Sequence, residues 1–163
     1  MSIDATLIAP AQLAALQSSE PVVVIDTRDP EAFAAGHIPG AVNLREVFTY
    51  LATSSPDGLQ ALKATFASAL GAVGLSGKET AVFYEDSMNS GYGQSCRGYY
   101  LLTWMGYPKI KVLNGGLSAW KAAGLPLATE AVTPVAATFP ELPMADVMLT
   151  QEDVLKALGT DVV

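Results

Sequence analysis

Short apolar runs alternate with amphipathic stretches along most of the chain. Val22–Ile25 and Thr80–Tyr84 are β-branched and aromatic runs, as expected for strands covered on both faces. Ile110–Leu113 alternates apolar and polar positions and also indicates a strand. A helix over roughly residues 57 to 73 is predicted from apolar positions at helical spacing: Leu59, Leu62, Phe66, Leu70 and Val73.

Shorter helices are predicted between these elements. One follows Pro10, and another follows Asp29, which suits a helix cap and precedes a proline at the first helical position. Two more are predicted over Gly98–Met105 and Leu117–Ala123. Strands that alternate with helices predict an α/β fold with a mainly parallel central sheet and helices on both faces.

The end of the chain has a different character. We predict one domain over residues 1–125, a linker rich in Pro, Ala, Thr and Val over residues 126–145, and the start of a second domain over residues 146–163. The segment Met148–Val154, with Leu158 and then Val162-Val163, repeats the pattern of Leu7–Leu13 with Leu16 and Val22-Val23. The tail therefore corresponds to an opening helix and a strand that has only begun.

Composition and charge narrow the class of function. Half of the 163 residues are hydrophobic and 15% are charged, which favours a globular core. A net charge of −7 argues against nucleic acid or an anionic membrane as a partner. One cysteine excludes an internal disulfide and a multi-cysteine zinc site, and one histidine disfavours a histidine-based metal site, so we expect no metal and no cofactor. The sequence lacks a basic signal-peptide flank and a long apolar run, so we expect a cytoplasmic protein.

The stretch with the greatest potential for chemistry lies in the middle of the chain. The strand that ends at Tyr84 is followed by Glu85 and Asp86, then by a loop rich in Gly and Ser, and then by a helix entered near Cys96. Ligands in α/β domains bind outside the carboxyl ends of strands, often against a helix N-terminus. We therefore expect any active site here.

Five motifs follow one another in order: Val23–Arg28, Glu31, Gly36–Ala41, Gly106-Tyr107 and Val112–Trp120. Together they resemble the rhodanese (sulfurtransferase) family over roughly residues 7 to 127. The Leu-Asn-Gly-Gly form at Leu113–Gly116 and the long loop before the central helix look most like the first domain of tandem sulfurtransferases. This resemblance implies a rhodanese fold and makes the tail the opening of a second, truncated rhodanese domain.

The resemblance also locates the reactive position. Catalytic rhodanese domains carry a cysteine directly after the strand that corresponds to Val82–Tyr84, and its thiolate takes sulfur from thiosulfate or 3-mercaptopyruvate as a persulfide, cradled by backbone N–H groups. Here Glu85 and Asp86 stand at that point, and their charge would repel an anionic donor. First domains of tandem sulfurtransferases likewise usually lack the cysteine, and their partner domain supplies it, so this departure matches the non-catalytic type.

Cys96 has two interpretations. The thiol could be held as a thiolate by the helix N-terminus and Arg97 and carry a sulfane sulfur. Alternatively it is a small, half-buried apolar residue that packs the first helical turn, which we favour. For Arg97 we expect a structural or interdomain ion pair rather than anion binding. A phosphatase of this fold is rejected because the cysteine and its arginine would stand at opposite ends of the loop, not side by side.

The other candidates are expected to support the fold. Asp26 and Arg28 should form an ion pair at the end of their strand, and His37 should fix the turn before Pro39. Trp120 should pack in the core or at a domain edge. Three tyrosines in and after the central loop offer aromatic surface for an interdomain contact: Tyr92, Tyr99 and Tyr100.

The sequence therefore predicts the N-terminal, supporting domain of a tandem sulfurtransferase, inactive by itself. Two alternatives stay open: an active single-domain sulfurtransferase that uses Cys96, and a catalytically dead rhodanese-like interaction module. The expected partners are a second rhodanese domain or a second copy of the chain, and at most a small sulfur-donor anion.

Overall fold

The computed structural model describes residues 6–45, 49–87 and 93–161, and every structural statement below concerns these residues. The strands are β1 (Leu7–Ile8), β2 (Val22–Asp26), β3 (Val42–Asn43), β4 (Thr80–Tyr84) and β5 (Ile110–Leu113). The helices are α1 (Pro10–Ser19), α2 (Pro30–Ala35), α3 (Pro56–Ala72), α4 (Gln94–Trp104), α5 (Gly116–Ala122) and α6 (Gln151–Ala157).

The strands form one five-stranded sheet in the order β1-β5-β4-β2-β3, and every pairing is parallel. The central pair is in register over its full length, from Val22 opposite Thr80 to Asp26 opposite Tyr84. Because all strands point the same way, their carboxyl ends meet at one edge of the sheet, which we call the carboxyl edge. The residues that follow β2 and β4 are therefore neighbours there.

Successive residues of the central strands face opposite sides of the sheet. Val24 and Val82 belong to one hydrophobic cluster, which includes residues of α1, α2 and α5. Ile25 and Phe83 belong to the other, which includes residues of α3 and α4. Both sides of the sheet are therefore covered by helices, and the predicted α/β architecture is confirmed.

Two local features differ from expectation. Strand β1 pairs with β5 at the edge of the sheet, although the pattern of residues contains no separate signal for it. Asp29 does precede Pro30 at the start of α2, but its side chain does not cap the helix. Its Oδ1 instead forms an ion pair with Arg45 Nε at 2.9 Å, because an arginine after β3 reaches it.

The chain after α5 crosses the surface without a named helix or strand until α6. Phe139 is buried in the core, and Thr150 caps α6 by accepting a hydrogen bond from the backbone N–H of Asp153. No residue of α6 is buried, and Val154 and Leu155 on it are exposed. The predicted strand start at residues 162–163 lies outside the described residues, and the three-part division of the chain stays a prediction.

Gly116 anchors α5 against the carboxyl edge and gives a first prediction. Its φ is +61°, and a Cβ there would stand 2.9 Å from the carbonyl oxygen of Asp86 and closer still to that of Glu85. We expect Gly116→Ala to lower the free energy of unfolding by about 3 kcal/mol, since a strained φ and a backbone clash add. Urea denaturation measures this loss.

The matched control is Gly124→Ala. Gly124 has a similar φ of +70° but has no neighbouring atom within 4 Å of the added Cβ. Gly124→Ala should lower the free energy of unfolding only by the cost of a left-handed φ at a non-glycine residue, about 1–2 kcal/mol. Equal losses in the two variants would contradict a close packing of α5 on the ends of β4.

Candidate functional site

The carboxyl edge is organised by a buried ion pair. Asp26, at the end of β2, is fully buried, and Arg28 is 8% exposed. Arg28 Nη2 donates to Asp26 Oδ2 at 2.7 Å, and its Nε donates to both carboxylate oxygens at 3.0 and 3.1 Å. The backbone N–H of Arg28 also donates to Oδ1 at 2.9 Å. The expected ion pair is therefore present, in a bidentate geometry that fixes the guanidinium.

Arg28 also ties β2 to neighbouring segments. Its Nη2 donates to the carbonyl oxygen of Gly36 at 2.8 Å, and its Nη1 donates to Asp86 Oδ1 at 3.2 Å, after β4. Asn43, at the end of β3, donates from its side chain to the carbonyl oxygens of Asp26 and Arg28 at 3.2 and 2.9 Å. The ends of three strands are thus joined by side chains, and no sequence motif indicates the hydrogen bonds of Asn43.

Glu85 occupies the position directly after β4 and is only 2% exposed. Its Oε1 accepts a hydrogen bond from Ser95 Oγ at 3.1 Å, at the start of α4, while its Oε2 is buried and has no hydrogen-bond partner among the described residues. Burial raises the pKa of the Glu85 carboxyl, and the negative charge of Asp86 acts in the same direction. The hydroxyl of Ser95 and the backbone N–H of Gln94, which favour the charged carboxylate, oppose this shift in pKa only in part.

The first turn of α5 holds the backbone of Glu85 and Asp86 by two hydrogen bonds. The N–H of Leu117 donates to the carbonyl oxygen of Glu85 at 2.9 Å, and the N–H of Ser118 donates to that of Asp86 at 2.8 Å. The first turn of α5 therefore satisfies both carbonyl groups. The two carboxyl side chains are left to face the space above the carboxyl edge.

That space is a small polar pocket of about 90 Å³, which we call the carboxyl pocket. It lies between the ends of β2 and β4, the start of α2 and the start of α4. Its lining residues are Arg28, Asp29, Ala32, Arg45, Glu85, Asp86 and Gln94. The sequence singled out Arg28, Glu85 and Asp86, whereas Arg45 and Gln94 join them through long-range packing.

Cys96 does not line the carboxyl pocket, and its side chain is exposed. The expectation of a half-buried residue packing the first turn of α4 was therefore wrong. Ser95 takes the buried position instead, because its hydroxyl reaches Glu85, and the next residue of a helix faces a different direction. The thiol is thus accessible to solvent but stands apart from the pocket.

Arg97 also stands apart from the carboxyl pocket. Its Nη2 donates to the carbonyl oxygen of Tyr50 at 2.6 Å. It lines a different cavity, of about 370 Å³, together with Tyr100 and Leu149. Among the described residues, its hydrogen bond therefore goes to a carbonyl group rather than to the carboxylate of an ion pair.

The remaining candidates support the fold. His37 is fully buried, stacks on Phe33 with ring centroids 3.8 Å apart, and bonds through Nδ1 to the Phe33 carbonyl oxygen at 2.9 Å. Tyr99 is hydrogen-bonded to Thr6, and Tyr100 donates to the carbonyl oxygen of Val147 at 3.0 Å. The two tyrosines thus contact the first described residue and the segment just before α6. The loop over residues 88–92, with the predicted contact of Tyr92, lies outside the described residues.

Glu85 gives a prediction about pH. The pKa of the Glu85 carboxyl is raised in the folded state, so the folded chain binds this proton more tightly than the unfolded chain does. The free energy of unfolding therefore falls as the pH rises from 4.5, the ordinary pKa, through the raised pKa of the folded state. Glu85→Gln removes this loss and keeps an acceptor for Ser95. We expect the variant to be more stable than the parent chain at pH 8, with a difference that shrinks towards pH 4.

Thermal or urea denaturation at several pH values tests this. Glu130→Gln, at an exposed position, is the control for the change in net charge. A parent chain whose stability rises with pH relative to Glu85→Gln would contradict a carboxyl group that burial disfavours in its charged form.

Strands β2 to β5 of the sheet, the helices packed on them and the carboxyl pocket lie in a part of the chain that is similar to known proteins. A model of the rhodanese-like domain matches residues 9–123, which include β2, β4 and both sides of the carboxyl pocket. The chain belongs to the rhodanese family. The predicted resemblance is thereby confirmed, and the sheet and helices described above are its rhodanese fold.

Relatives in the rhodanese family include two thiosulfate sulfurtransferases. That of Azotobacter vinelandii is 34% identical over 128 residues, which cover 78% of this chain and 46% of that protein. That of Pseudomonas aeruginosa is 30% identical over 153 residues, covering 94% of this chain and 55% of that protein. The chain thus spans about half of the length of the relatives it matches.

Solved structures support the same fold. The crystal structure of SseA, a 3-mercaptopyruvate sulfotransferase of Escherichia coli, superposes with a TM-score of 0.76 at 23% identity. The match covers 93% of this rhodanese chain and 62% of that one.

Within the described part of the chain, none of the helices is both long and apolar enough to cross a membrane.

Proposed function

We propose that this chain is the N-terminal, non-catalytic rhodanese domain of a tandem sulfurtransferase. The observation that carries the proposal is Glu85, a buried carboxyl group at the place where the family resemblance puts a nucleophilic thiol. A carboxyl group cannot form a persulfide. Its Oε1 already accepts the hydroxyl of Ser95 at the start of α4, at the helix end that would otherwise stabilise an anionic sulfur.

The charge around Glu85 supports the same proposal. A thiosulfate or 3-mercaptopyruvate anion would meet Asp29, Glu85 and Asp86 in the lining of the carboxyl pocket. The guanidinium groups of Arg28 and Arg45 are engaged by Asp26, Asp86 and Asp29. The pocket is therefore poorly suited to an anionic donor.

The tail supports a tandem arrangement. Helix α6 carries apolar side chains that are uncovered, with Leu155 58% exposed and Leu158, just after the helix, 56% exposed. An amphipathic helix normally buries its apolar face. We propose that α6 is the opening helix of a second rhodanese domain, the rest of which covers its apolar face, supplies the reactive cysteine and binds the sulfur donor, either thiosulfate or 3-mercaptopyruvate. The intact protein would act in the cytoplasm and would not bind nucleic acid or membranes.

The exposed thiol of Cys96 favours a second candidate, an active single domain. In that case the thiolate of Cys96 would attack the outer sulfur of thiosulfate, the S–S bond of the donor would break, sulfite would leave, and cyanide would take the sulfur as thiocyanate. The same exposure is equally consistent with an interaction module that performs no chemistry.

Thiocyanate formation from thiosulfate and cyanide tests the proposal. We expect the isolated chain and Cys96→Ser to give the same rate, that of the uncatalysed reaction. The Azotobacter vinelandii thiosulfate sulfurtransferase serves as the positive control. A rate above background that Cys96→Ser abolishes would replace the proposal with the single-domain enzyme.

A further inference from the structure

The carboxyl pocket contains an acceptor that no described group satisfies. Glu85 is 2% exposed, and its Oε2 is buried without a hydrogen-bond partner, while Oε1 accepts from Ser95 at 3.1 Å. Buried polar atoms in folded proteins nearly always have a partner, because an unpaired one costs about 1–3 kcal/mol or more. A ligand with an N–H donor would satisfy this oxygen.

The charges of the lining favour a cation. Three carboxyl groups (Asp29, Glu85 and Asp86) face two guanidinium groups (Arg28 and Arg45). Arg45 is paired with Asp29 at 2.9 Å, and Arg28 is shared between Asp86 and a further carboxylate beneath the pocket, Asp26. With its three carboxyl groups charged, the lining is therefore short of positive charge by one unit, and Asp26 beneath it adds a further negative charge.

Asp86 has capacity for a second partner. Its side chain is 54% exposed, and the ion pair with Arg28, at 3.2 Å, uses Oδ1. A carboxylate has about four lone-pair sites, so Asp86 can accept further N–H donors beside Glu85. Gln94 adds a side-chain amide to the same lining.

Size and ligand type select a compact organic cation. The pocket volume of about 90 Å³ corresponds to roughly three water molecules at liquid density. Among the described residues, no group of three or more His, Cys, Asp or Glu side chains is arranged to hold a metal ion. A nitrogen cation with several directed N–H groups fits a site built from separate acceptors better than a metal does.

We propose that the carboxyl pocket binds the ammonium or guanidinium head group of a cationic ligand, held by Glu85 and Asp86. The two head groups share the chemistry of a positive charge and several N–H donors. They could belong to a free small molecule or to a lysine or arginine side chain of a protein surface. This inference is independent of the proposed role in sulfur transfer, because it concerns the ligand of this domain alone.

NMR titration of the chain with methylguanidinium tests the site, with the ¹³C signal of the Glu85 carboxyl group as the probe. We expect a saturable shift. N-methylurea, which has a similar shape and no charge, should bind at least about tenfold more weakly, since charge-assisted hydrogen bonds are roughly twice as strong as neutral ones. Methylammonium in place of methylguanidinium shows which of the two head groups the pocket prefers.

The variants and a second probe complete the test. In Glu85→Gln, the shifts of the Gln94 and Ser95 amide signals should no longer saturate, whereas Glu130→Gln, at an exposed position outside the pocket, should bind as the parent chain does. Tighter binding of N-acetylarginine methylamide than of methylguanidinium would assign the head group to a protein side chain, and equal binding would assign it to a free small cation. Equal binding of cation and urea, unchanged binding by Glu85→Gln, or a preference for acetate would overturn the proposal.

Discussion

Replacing Arg28 with methionine is expected to lower the free energy of unfolding by about 3–5 kcal/mol. The substitution removes three hydrogen bonds to the carboxylate of Asp26, which is fully buried and has no access to compensating water. It also removes the bonds to Gly36 and Asp86, so that the ends of β2 and β4 lose their side-chain connection. Most of the expected loss is the free energy of leaving one buried charge without its partner.

Arg45→Met is the matched control. It breaks a similar single ion pair, Arg45 Nε to Asp29 Oδ1 at 2.9 Å, but Asp29 is 62% exposed. Because solvent screens this pair, we expect a loss of about 1 kcal/mol or less. Adding Asp26→Asn to Arg28→Met should restore part of the lost stability, since the unpaired charge is then gone. Urea denaturation measures the free energy of unfolding of the parent chain, the two single variants and the double variant. Equal losses for Arg28→Met and Arg45→Met would contradict the role of the buried ion pair as the centre of the carboxyl edge.

Trp120→Ala is expected to lower the free energy of unfolding by about 3–5 kcal/mol. Trp120 is 2% exposed and is among the largest fully enclosed side chains of the core that also contains Leu13 and Leu113. Its Nε1 donates to the carbonyl oxygen of Pro126 at 2.8 Å, which attaches the start of the long surface segment to the domain. The truncation therefore opens a cavity and frees that segment.

Trp120→Phe separates these two effects. It keeps most of the apolar contact and deletes the hydrogen bond to Pro126, so we expect a loss of about 1–2 kcal/mol. Hydrogen exchange should then show faster exchange at Ala128, whose N–H bonds to the carbonyl oxygen of His37 at 2.9 Å. A Trp120→Ala variant as stable as Trp120→Phe would contradict a core position for the indole ring.

The elements that the sequence predicted are those whose pattern is local. The helix expected over residues 57–73 is observed over Pro56–Ala72, because five apolar side chains at helical spacing mark one face in the sequence itself. The strands β2 and β4 are continuous apolar runs because both of their faces are buried. The parallel sheet follows from their alternation with helices.

The features that were missed depend on contacts distant in sequence. Leu7–Ile8 forms a strand only because β5 lies beside it, some hundred residues later. The hydrogen bonds of Asn43 and the placement of Arg45 require the folded ends of β2 and β3 to be neighbours. The exposure of Cys96 depends on which way the first turn of α4 faces, and that is set by the bond between Ser95 and Glu85.

The sequence placed the candidate site after β4 but specified it only in part. The resemblance to rhodaneses identified Glu85 as the residue at the reactive position, and the strand pattern placed it at the carboxyl edge. Neither pattern contains the information that one oxygen of this carboxyl group is bonded and the other is not, which is decided by packing against α4. The carboxyl pocket therefore emerged only from the three-dimensional arrangement.

Intact-mass spectrometry of the reduced chain, before and after incubation with thiosulfate or 3-mercaptopyruvate, tests the central claim most directly. A domain with Glu85 at the reactive position and a structural role should keep its mass with either donor, and Cys96→Ser should behave identically. A gain of one sulfur atom that cyanide removes and that Cys96→Ser abolishes would contradict the claim and make Cys96 the nucleophile of a sulfurtransferase that acts alone.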